Sequence, residues 1–141
     1  MSSGPENTYI RSVHRHLPVE VYVLKNHNVY AAGVADCWYS APGGDCWVEY
    51  KFIQLPTRPQ SIIDFCDTKK KYSASCLQQE WLTARHREGR RVGVVVGSTE
   101  GGLWLPGCAW RMPLTAGEFR HRMVDRKTVA SFIVRFASGK V

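Results

Sequence analysis

Two short aromatic runs, separated by a proline and two glycines, constrain the fold of this chain more than any other feature. The runs cover residues 33–40 and 45–52, and residues 41–44 between them read Ala-Pro-Gly-Gly. Aromatic and β-branched residues favour strands, whereas Pro and Gly favour turns, so the pattern predicts a β-hairpin. If residues 41–44 form the loop, Ser40 faces Asp45 across the hairpin.

In this register Asp36 lies opposite Glu49. Facing residues of an antiparallel pair have Cβ atoms roughly 5 Å apart, and like charges repel at that distance, which suggests a cation between the two carboxylates. Lys51 shares a face with Glu49 because side chains on a strand alternate with period two. Carboxylates bind hard divalent ions, and an ammonium beside them can orient a water or stabilise negative charge. The alternative interpretation is an ordinary hairpin with a polar, solvated face.

The size and composition of the chain predict a single domain, residues 1–141. The chain is 44% hydrophobic and 22% charged, which is typical of a globular protein with its own core. Its five cysteines are odd in number and include no Cys-x-x-Cys pair, a pattern typical of reduced thiols in a cytoplasm. No signal peptide opens the chain, and no apolar run approaches the ~20 residues that span a bilayer, so we expect a cytoplasmic protein without a membrane partner.

Positive charge is concentrated in the second part of the chain. The formal net charge is +7, yet residues 1–53 carry four basic and five acidic side chains. A basic half beside two carboxylates suits a polyanionic substrate held next to a metal ion, although the same charge could serve solubility alone. The basic residues that we expect to contact nucleic acid are Lys69, Lys70, Lys71, Arg120, Arg122, Arg126 and Lys127.

The remaining patterns predict alternating helices and strands. Ser75 and Gln78 form a capping-box pattern at the start of the clearest helix, and Thr115 with Glu118 repeats that pattern later. Together with the hairpin, these elements give an αβββαβ core followed by two more helices. The predicted helices cover about 5–17, 75–88, a segment after 115, and 128–136. The predicted strands outside the hairpin cover 19–25 and 92–97.

The order and spacing of these motifs resemble a known nuclease core. Gly33-Val34-Ala35-Asp36 followed by Glu49-Tyr50-Lys51 is similar to the core of the PD-(D/E)xK superfamily, with Ala35 in the place of the usual proline. The Ser-x-x-Gln helix resembles the VRR-NUC type within that superfamily. The likeness covers about residues 6–98. It implies a restriction-endonuclease-like α/β fold, with a mixed sheet flanked by helices and a basic, helical C-terminal extension over 99–141.

The resemblance also implies roles for particular residues. It implies one or two Mg²⁺ or Mn²⁺ ions, with a lysine that positions or activates a water and a glutamine that orients that water or the lysine. The implied ligands are Asp36, Glu49, the backbone carbonyl of Tyr50 and, through a water, Glu6 on the first helix; the lysine is Lys51 and the glutamine is Gln78.

We therefore expect an endonuclease that hydrolyses phosphodiester bonds in duplex or branched DNA. Small nucleases of the resembling type are often carried by bacteriophages, which would place this one in a host cytoplasm, and often act on junctions as homodimers. One alternative is a basic nucleic-acid-binding domain without chemistry. Another is a nickase or exonuclease of the same fold acting on single strands or RNA. Trp38 and Trp47 would permit base stacking, although tryptophans in such positions are more often core residues.

Overall fold

A computed structural model describes residues 4–27 and 32–140 of the chain. The helices are α1 (Pro5–His14), α2 (Cys76–Arg87), α3 (Ala116–Arg122) and α4 (Arg126–Ala137). The strands are β1 (Tyr22–Lys25), β2 (Cys37–Ala41), β3 (Gly44–Phe52), β4 (Ile62–Ile63), β5 (Val92–Gly97), β6 (Gly102–Pro106) and β7 (Leu114–Thr115). None of the helices in the described ranges has the length and apolar character needed to cross a membrane.

The main sheet is mixed and has the strand order β1-β2-β3-β5-β6. Strands β3 and β5 run parallel, and the other neighbouring pairs run antiparallel. The short strands β4 and β7 pair with each other outside this sheet. The predicted αβββαβ order is therefore confirmed, with β4 inserted between β3 and α2.

The predicted hairpin and its register are confirmed. Ser40 faces Asp45 and Cys37 faces Val48, so Asp36, which directly precedes β2, comes opposite Glu49. The loop is shorter than the four residues expected, because pairing continues to the end of β2 and leaves only residues 42–43 to turn the chain. Gly43 has a φ of 96°, a left-handed conformation that favours glycine.

The first helix and first strand are shorter than the patterns predict. Helix α1 ends at His14 rather than near Leu17, and β1 begins at Tyr22 rather than at Val19. The intervening chain turns, with the backbone N–H of Val21 donating to the carbonyl of Pro18. Val19 is fully exposed, so its hydrophobic alternation with neighbouring residues does not reflect a strand.

Two hydrophobic clusters cover the two faces of the sheet. Helices α1 and α4 pack against one face, and helices α2 and α3 pack against the other. On β3, Val48 and Tyr50 belong to the cluster of α1 and α4. Glu49 and Lys51 alternate with them and contact Gln78 of α2. The side chains predicted to carry chemistry therefore lie on the α2 face of the sheet.

Residues after 98 are built into the same sheet and core. Strand β6 pairs with β5, and Val129, Ala130 and Ile133 of α4 are buried in the cluster that also holds α1. Arg126 of α4 donates a hydrogen bond to Ser12 of α1. The segment expected to be a helical extension thus supplies one edge strand and a helix that holds α1 in place.

Candidate functional site

The centre of the candidate site is the facing pair Asp36 and Glu49. The backbone N–H of Tyr50 donates a hydrogen bond of 2.9 Å to Oδ2 of Asp36, which fixes this carboxylate at the start of β2. Glu49 is only 2% exposed, and its Oε1 atom has no hydrogen-bond partner among the described residues. A buried carboxylate oxygen without a hydrogen-bond donor is costly, because nothing from the protein replaces its lost hydration.

Lys51 and Gln78 complete a polar network with Glu49. Nζ of Lys51 lies 3.4 Å from Oε2 of Glu49 and donates a 2.8 Å hydrogen bond to Oε1 of Gln78. The side-chain amide of Gln78 in turn donates a 2.9 Å hydrogen bond to Oε2 of Glu49. The structure therefore brings the predicted residues Asp36, Glu49, Lys51 and Gln78 together.

The position of Gln78 follows from the way helix α2 begins. Oγ of Ser75 accepts a hydrogen bond from the backbone N–H of Gln78, and Oε1 of Gln78 accepts one from the backbone N–H of Ser75. This is the predicted capping box, which satisfies two backbone donors at the helix start. Because Oε1 of Gln78 also accepts from Lys51, one oxygen serves both the helix cap and the candidate site.

Electrostatics around the carboxylates favour a cation. Burial raises the pKa of Glu49 well above its usual range, and repulsion from Asp36 adds to this effect, while Lys51 opposes it. Burial also raises the pKa of Asp36, against the opposing effects of the Tyr50 N–H group and Lys51. Without a cation, the two carboxyl groups are therefore not easily ionised together.

Glu6 and Lys25 reach the same region from other elements. The pKa of Glu6, in the first turn of α1, is raised by burial and by repulsion from Asp36, while Lys51 and Lys25 oppose this. Among the described residues, no three His, Cys, Asp or Glu side chains are grouped closely enough to hold a metal ion by themselves. An ion at the pair would need backbone, water or substrate oxygens as well, which is usual for Mg²⁺.

Sequence reasoning missed Lys25. Its Nζ donates a hydrogen bond to Oδ1 of Asn7 on α1, and its charge opposes the raised pKa of both Asp36 and Glu6. Lys25 pairs with Cys37, the residue next to Asp36, in the β1–β2 ladder. That pairing was the only available signal, and it requires knowing which residues of β1 face β2.

A buried chain of polar side chains lies on the opposite face of β3. Nε2 of His14 lies 2.7 Å from the hydroxyl of Tyr39, which lies 2.6 Å from the hydroxyl of Tyr50. This chain links α1, which carries Glu6, to the strand residue whose N–H group holds Asp36. Burial, with repulsion from Lys25, lowers the pKa of His14 to about 4, so His14 is neutral in the folded protein at neutral pH.

We expect His14 to make the protein less stable in mild acid. Between pH 6.5 and about 4, the unfolded chain binds a proton at His14 that the folded protein does not, so stability falls as the pH falls through this window. The loss should be about 1–3 kcal/mol, since each pKa unit corresponds to about 1.4 kcal/mol and partial exposure reduces the effect. Urea unfolding at pH 7 and pH 5 measures it. His14→Gln should remove much of the difference between the two pH values, and an unchanged pH dependence in that variant would contradict the assignment.

The basic residues predicted to contact nucleic acid form no bonds with the carboxylate pair. In the described part of the chain, no hydrogen bond or ion pair joins any of the seven to Asp36 or Glu49. Arg120 forms two hydrogen bonds with Glu100, and the guanidinium of Arg126 lies 4.9 Å from the centre of the Tyr9 ring. The other five are all exposed, on turns or near helix ends: Lys69, Lys70, Lys71, Arg122 and Lys127.

A second basic surface, which sequence reasoning did not single out, lies beside α2. A groove there is lined by Glu80, Thr83 and Arg87 of the helix and by Arg111. Nη2 of Arg111 donates a 2.6 Å hydrogen bond to Oγ1 of Thr83. The guanidinium of Arg85 lies 5.5 Å from the centre of the Trp81 ring on the same helix. That guanidinium also donates two hydrogen bonds to Glu88. Helix α2 therefore contributes Gln78 at its start and arginines in its last turn.

A mixed sheet of this order, with helices on both faces, one carboxylate just before its second strand and the other on its third, is typical of the restriction-endonuclease-like fold class. One solved structure with a similar fold is Hjc, a Holliday junction resolvase from the archaeal hyperthermophile Archaeoglobus fulgidus. The TM-score is 0.53 at 10% sequence identity, and the similarity covers 91% of this chain and 97% of that one. It confirms the predicted fold class, whereas the VRR-NUC type stays a prediction. No family model matches the chain, and no curated protein matches it either.

Proposed function

We propose that this chain is a metal-dependent endonuclease that hydrolyses phosphodiester bonds in DNA. The observation that carries the proposal is the buried pair of Asp36 and Glu49, with one unpartnered oxygen, beside Lys51. A hairpin that only stabilised the fold would gain nothing from two facing carboxylates of this kind. The similarity of the fold to that of a nuclease supports the same conclusion.

The donors at the pair fit a hard divalent cation such as Mg²⁺ or Mn²⁺. Asp36 and Glu49 would hold the ion together with the backbone carbonyl of Tyr50, and Glu6 would contribute through a water. The unpartnered Oε1 of Glu49 and the raised pKa values of both carboxyl groups support this fit. When bound, such an ion would neutralise charge on the phosphate oxygens and increase the acidity of a water.

Lys51 and Gln78 would act on the water and the phosphate. Of the three N–H groups of the Lys51 ammonium, one bonds Gln78 and one is directed at Glu49. The third could orient the attacking water or stabilise charge on a phosphoryl oxygen. Gln78 is fixed by the helix cap and would keep Lys51 beside Glu49. In the reaction, the water gives up one proton as its oxygen bonds to phosphorus, the bond from phosphorus to one sugar oxygen breaks, and that oxygen takes up one proton.

For the substrate we propose branched DNA, with a four-way junction as the preferred form and a homodimer as the acting species. The structural neighbour is a Holliday junction resolvase, which supports this choice. The exposed residues Lys69, Lys70, Lys71, Arg122 and Lys127 would contact phosphates. Arg120 and Arg126 would first have to exchange their present partners for DNA. The five cysteines are free thiols, which supports activity in a reducing cytoplasm, that of the host if the protein is carried by a phage.

Cleavage should depend entirely on a divalent ion. We expect no product in EDTA and full activity after addition of Mg²⁺ or Mn²⁺, because oxygen donors form the proposed ligand set. The measurement is incubation with four-way junction, duplex, flap and single-stranded DNA, each with Mg²⁺, Mn²⁺ or EDTA, and with an RNA strand for comparison. The pattern of products separates a junction-cleaving endonuclease from a nickase or an exonuclease.

The Asp36→Asn variant is the control for this experiment. It should bind DNA with affinity close to that of the wild type while cutting none, and its affinity should fall steeply with salt concentration as counterions are released. Full cleavage in EDTA would remove the metal mechanism. Binding by the wild type and all variants without any cleavage in metal would instead indicate a nucleic-acid-binding domain without chemistry.

A further inference from the structure

Four aromatic side chains form a continuous row, which we call the aromatic row, on the same sheet face as the carboxylate pair. They are Tyr22 of β1, Trp38 of β2, Trp47 of β3 and Trp81 of α2. Successive ring centres are 6.1, 6.4 and 5.5 Å apart. The guanidinium of Arg85 lies over the last ring, at 5.5 Å from its centre.

The aromatic row runs directly beside the candidate site. Trp38 follows Asp36 by two residues and Trp47 precedes Glu49 by two residues, and Trp38 and Trp47 face each other in the hairpin. Residues two apart on a strand share a face and are separated by roughly 7 Å. A strand of nucleic acid with a phosphate at the carboxylate pair would therefore have its neighbouring nucleotide at the aromatic row.

The aromatic row is accessible and its rings are not stacked on one another. Tyr22 is 59% exposed, and the three tryptophans are half-buried. The angles between successive ring planes are 70°, 42° and 75°, so the rings meet at edges or at a tilt. In the described structure α2 lies against β5, whereas α1 and α4 lie on the opposite face of the sheet. The β1–β2 part of this face thus keeps ring surface available.

Polar groups around the aromatic row make a nucleic-acid strand a better occupant than a second copy of this chain. Oδ2 of Asp45 accepts a 2.6 Å hydrogen bond from the indole N–H of Trp38. The exposed Asp45 and its facing residue Ser40 thus place polar groups beside the rings. A stable protein interface requires roughly 800 Å² from each partner with an apolar centre, and this narrow, interrupted strip does not provide one. Bases stack on single rings and need no broad apolar area. The guanidinium of Arg85 contacts the last ring while it donates two hydrogen bonds to Glu88.

We infer that the aromatic row binds the unpaired bases of a nucleic-acid strand whose backbone lies at the Asp36–Glu49 pair. The inference rests on the proposed nuclease function and narrows its substrate to DNA with unpaired nucleotides next to the scissile phosphate. A branch point supplies such nucleotides when its strands separate locally. Stacking requires no hydrogen bonds to base edges, so it would favour unpaired structure over particular sequences.

The test compares strands with and without bases, in EDTA so that no cleavage occurs. The probes are a short oligothymidylate and an abasic backbone of the same length, with a duplex as a third ligand, and binding is followed by tryptophan fluorescence and anisotropy. The wild type should prefer the oligothymidylate to the abasic strand. Trp38→Leu and Tyr22→Leu should each weaken oligothymidylate binding at least about fivefold and leave abasic and duplex binding within about twofold.

Conservative variants separate stacking from simple packing. Trp38→Phe and Tyr22→Phe keep a ring and should retain most of the preference. Trp104→Leu is the matched control, because its half-buried indole packs against Phe136 of α4, away from the carboxylate face. Tyr22 lies exposed on an edge strand, so its variants remain informative if Trp38→Leu fails to fold.

Three results would overturn the inference. The first is that the wild type binds the oligothymidylate and the abasic strand equally well. The second is that Trp38→Leu weakens binding of both strands equally. The third is that Trp38→Leu converts a dimer to a monomer in sedimentation, which would make the aromatic row a contact between two copies of this chain. Failure of this inference can be distinguished from failure of the nuclease proposal. Absence of cleavage in Mg²⁺ with an intact base preference would reject the nuclease alone, and metal-dependent cleavage without a base preference would reject only the role of the aromatic row.

Discussion

Lys51→Ala is expected to abolish DNA cleavage at every metal concentration while leaving the fold and DNA binding nearly intact. Lys51 is 13% exposed, and its ammonium lies between Glu49 and Gln78, where it would meet the water or the phosphate. Both carboxylates remain in the variant, so metal binding should persist. Oε1 of Gln78 keeps its bond to Ser75, so the loss of stability should be about 1 kcal/mol.

The measurement is single-turnover cleavage across a range of Mg²⁺ and Mn²⁺ concentrations, together with urea unfolding. Lys140→Ala is the matched control, because Lys140 is exposed near the end of α4 and should be dispensable. If Lys51 were an ordinary exposed strand residue, its removal would change stability by less than about 0.5 kcal/mol and would change no activity. Cleavage by the Lys51→Ala protein at more than about a tenth of the wild-type rate would reject the role given to Lys51. A tenfold loss of rate corresponds to about 1.4 kcal/mol of transition-state stabilisation.

Glu49→Gln is expected to abolish cleavage and at the same time to stabilise the metal-free protein. The substitution removes a buried charge that faces Asp36 and whose Oε1 atom has no partner, and the new amide can donate a hydrogen bond across the pair. The gain should be about 1–3 kcal/mol near neutral pH, the usual cost of an unsatisfied buried polar group. The pKa of Glu49 is raised in the folded protein, so the gain should be smallest below about pH 4.5 and should grow as the pH rises.

Thermal unfolding in EDTA, with and without added Mg²⁺, measures both effects. The wild type should become more stable when Mg²⁺ is added, because a ligand that binds only the folded state stabilises it, whereas Glu49→Gln should respond much less. Glu20→Gln, at an exposed position outside the site, is the control for loss of one negative charge. A Glu49→Gln protein that is less stable than the wild type in EDTA at neutral pH would contradict the electrostatic description of the pair.

The hairpin and the start of α2 could be predicted because their determinants are local. Proline and glycine fix the turn, and the turn fixes which residues face each other, so the opposition of Asp36 and Glu49 follows from a short stretch of sequence. The capping box fixes Gln78 in the same way. That Gln78 also contacts Glu49 and Lys51 was available only from the family resemblance, since it depends on how α2 packs against the sheet.

The rest of the site depends on long-range pairing that a single sequence does not specify. Lys25 reaches the region only because β1 pairs with β2 across a connection that carries no turn signal comparable to Pro42 and Gly43. Strand β6 was not predicted, because its Gly-Leu-Trp-Leu-Pro sequence is too short to show alternation. Arg120 and Arg126 were expected to contact DNA, and their bonds to Glu100 and Ser12 come from tertiary packing.

The contact between α1 and α4 has a consequence for the order in which the protein matures. The hydrogen bond from Arg126 to Ser12 spans 114 positions of the sequence, and the Tyr9 ring lies under the same guanidinium. Contacts of such long range form late, because the chain between them must first be closed into a loop. During synthesis α1 can therefore reach the sheet first, through the contacts of Asn7 with Lys25 and of His14 with Tyr39. The second layer of contacts on α1, and with it the final packing of the helix that carries Glu6, would form only after α4 has left the ribosome.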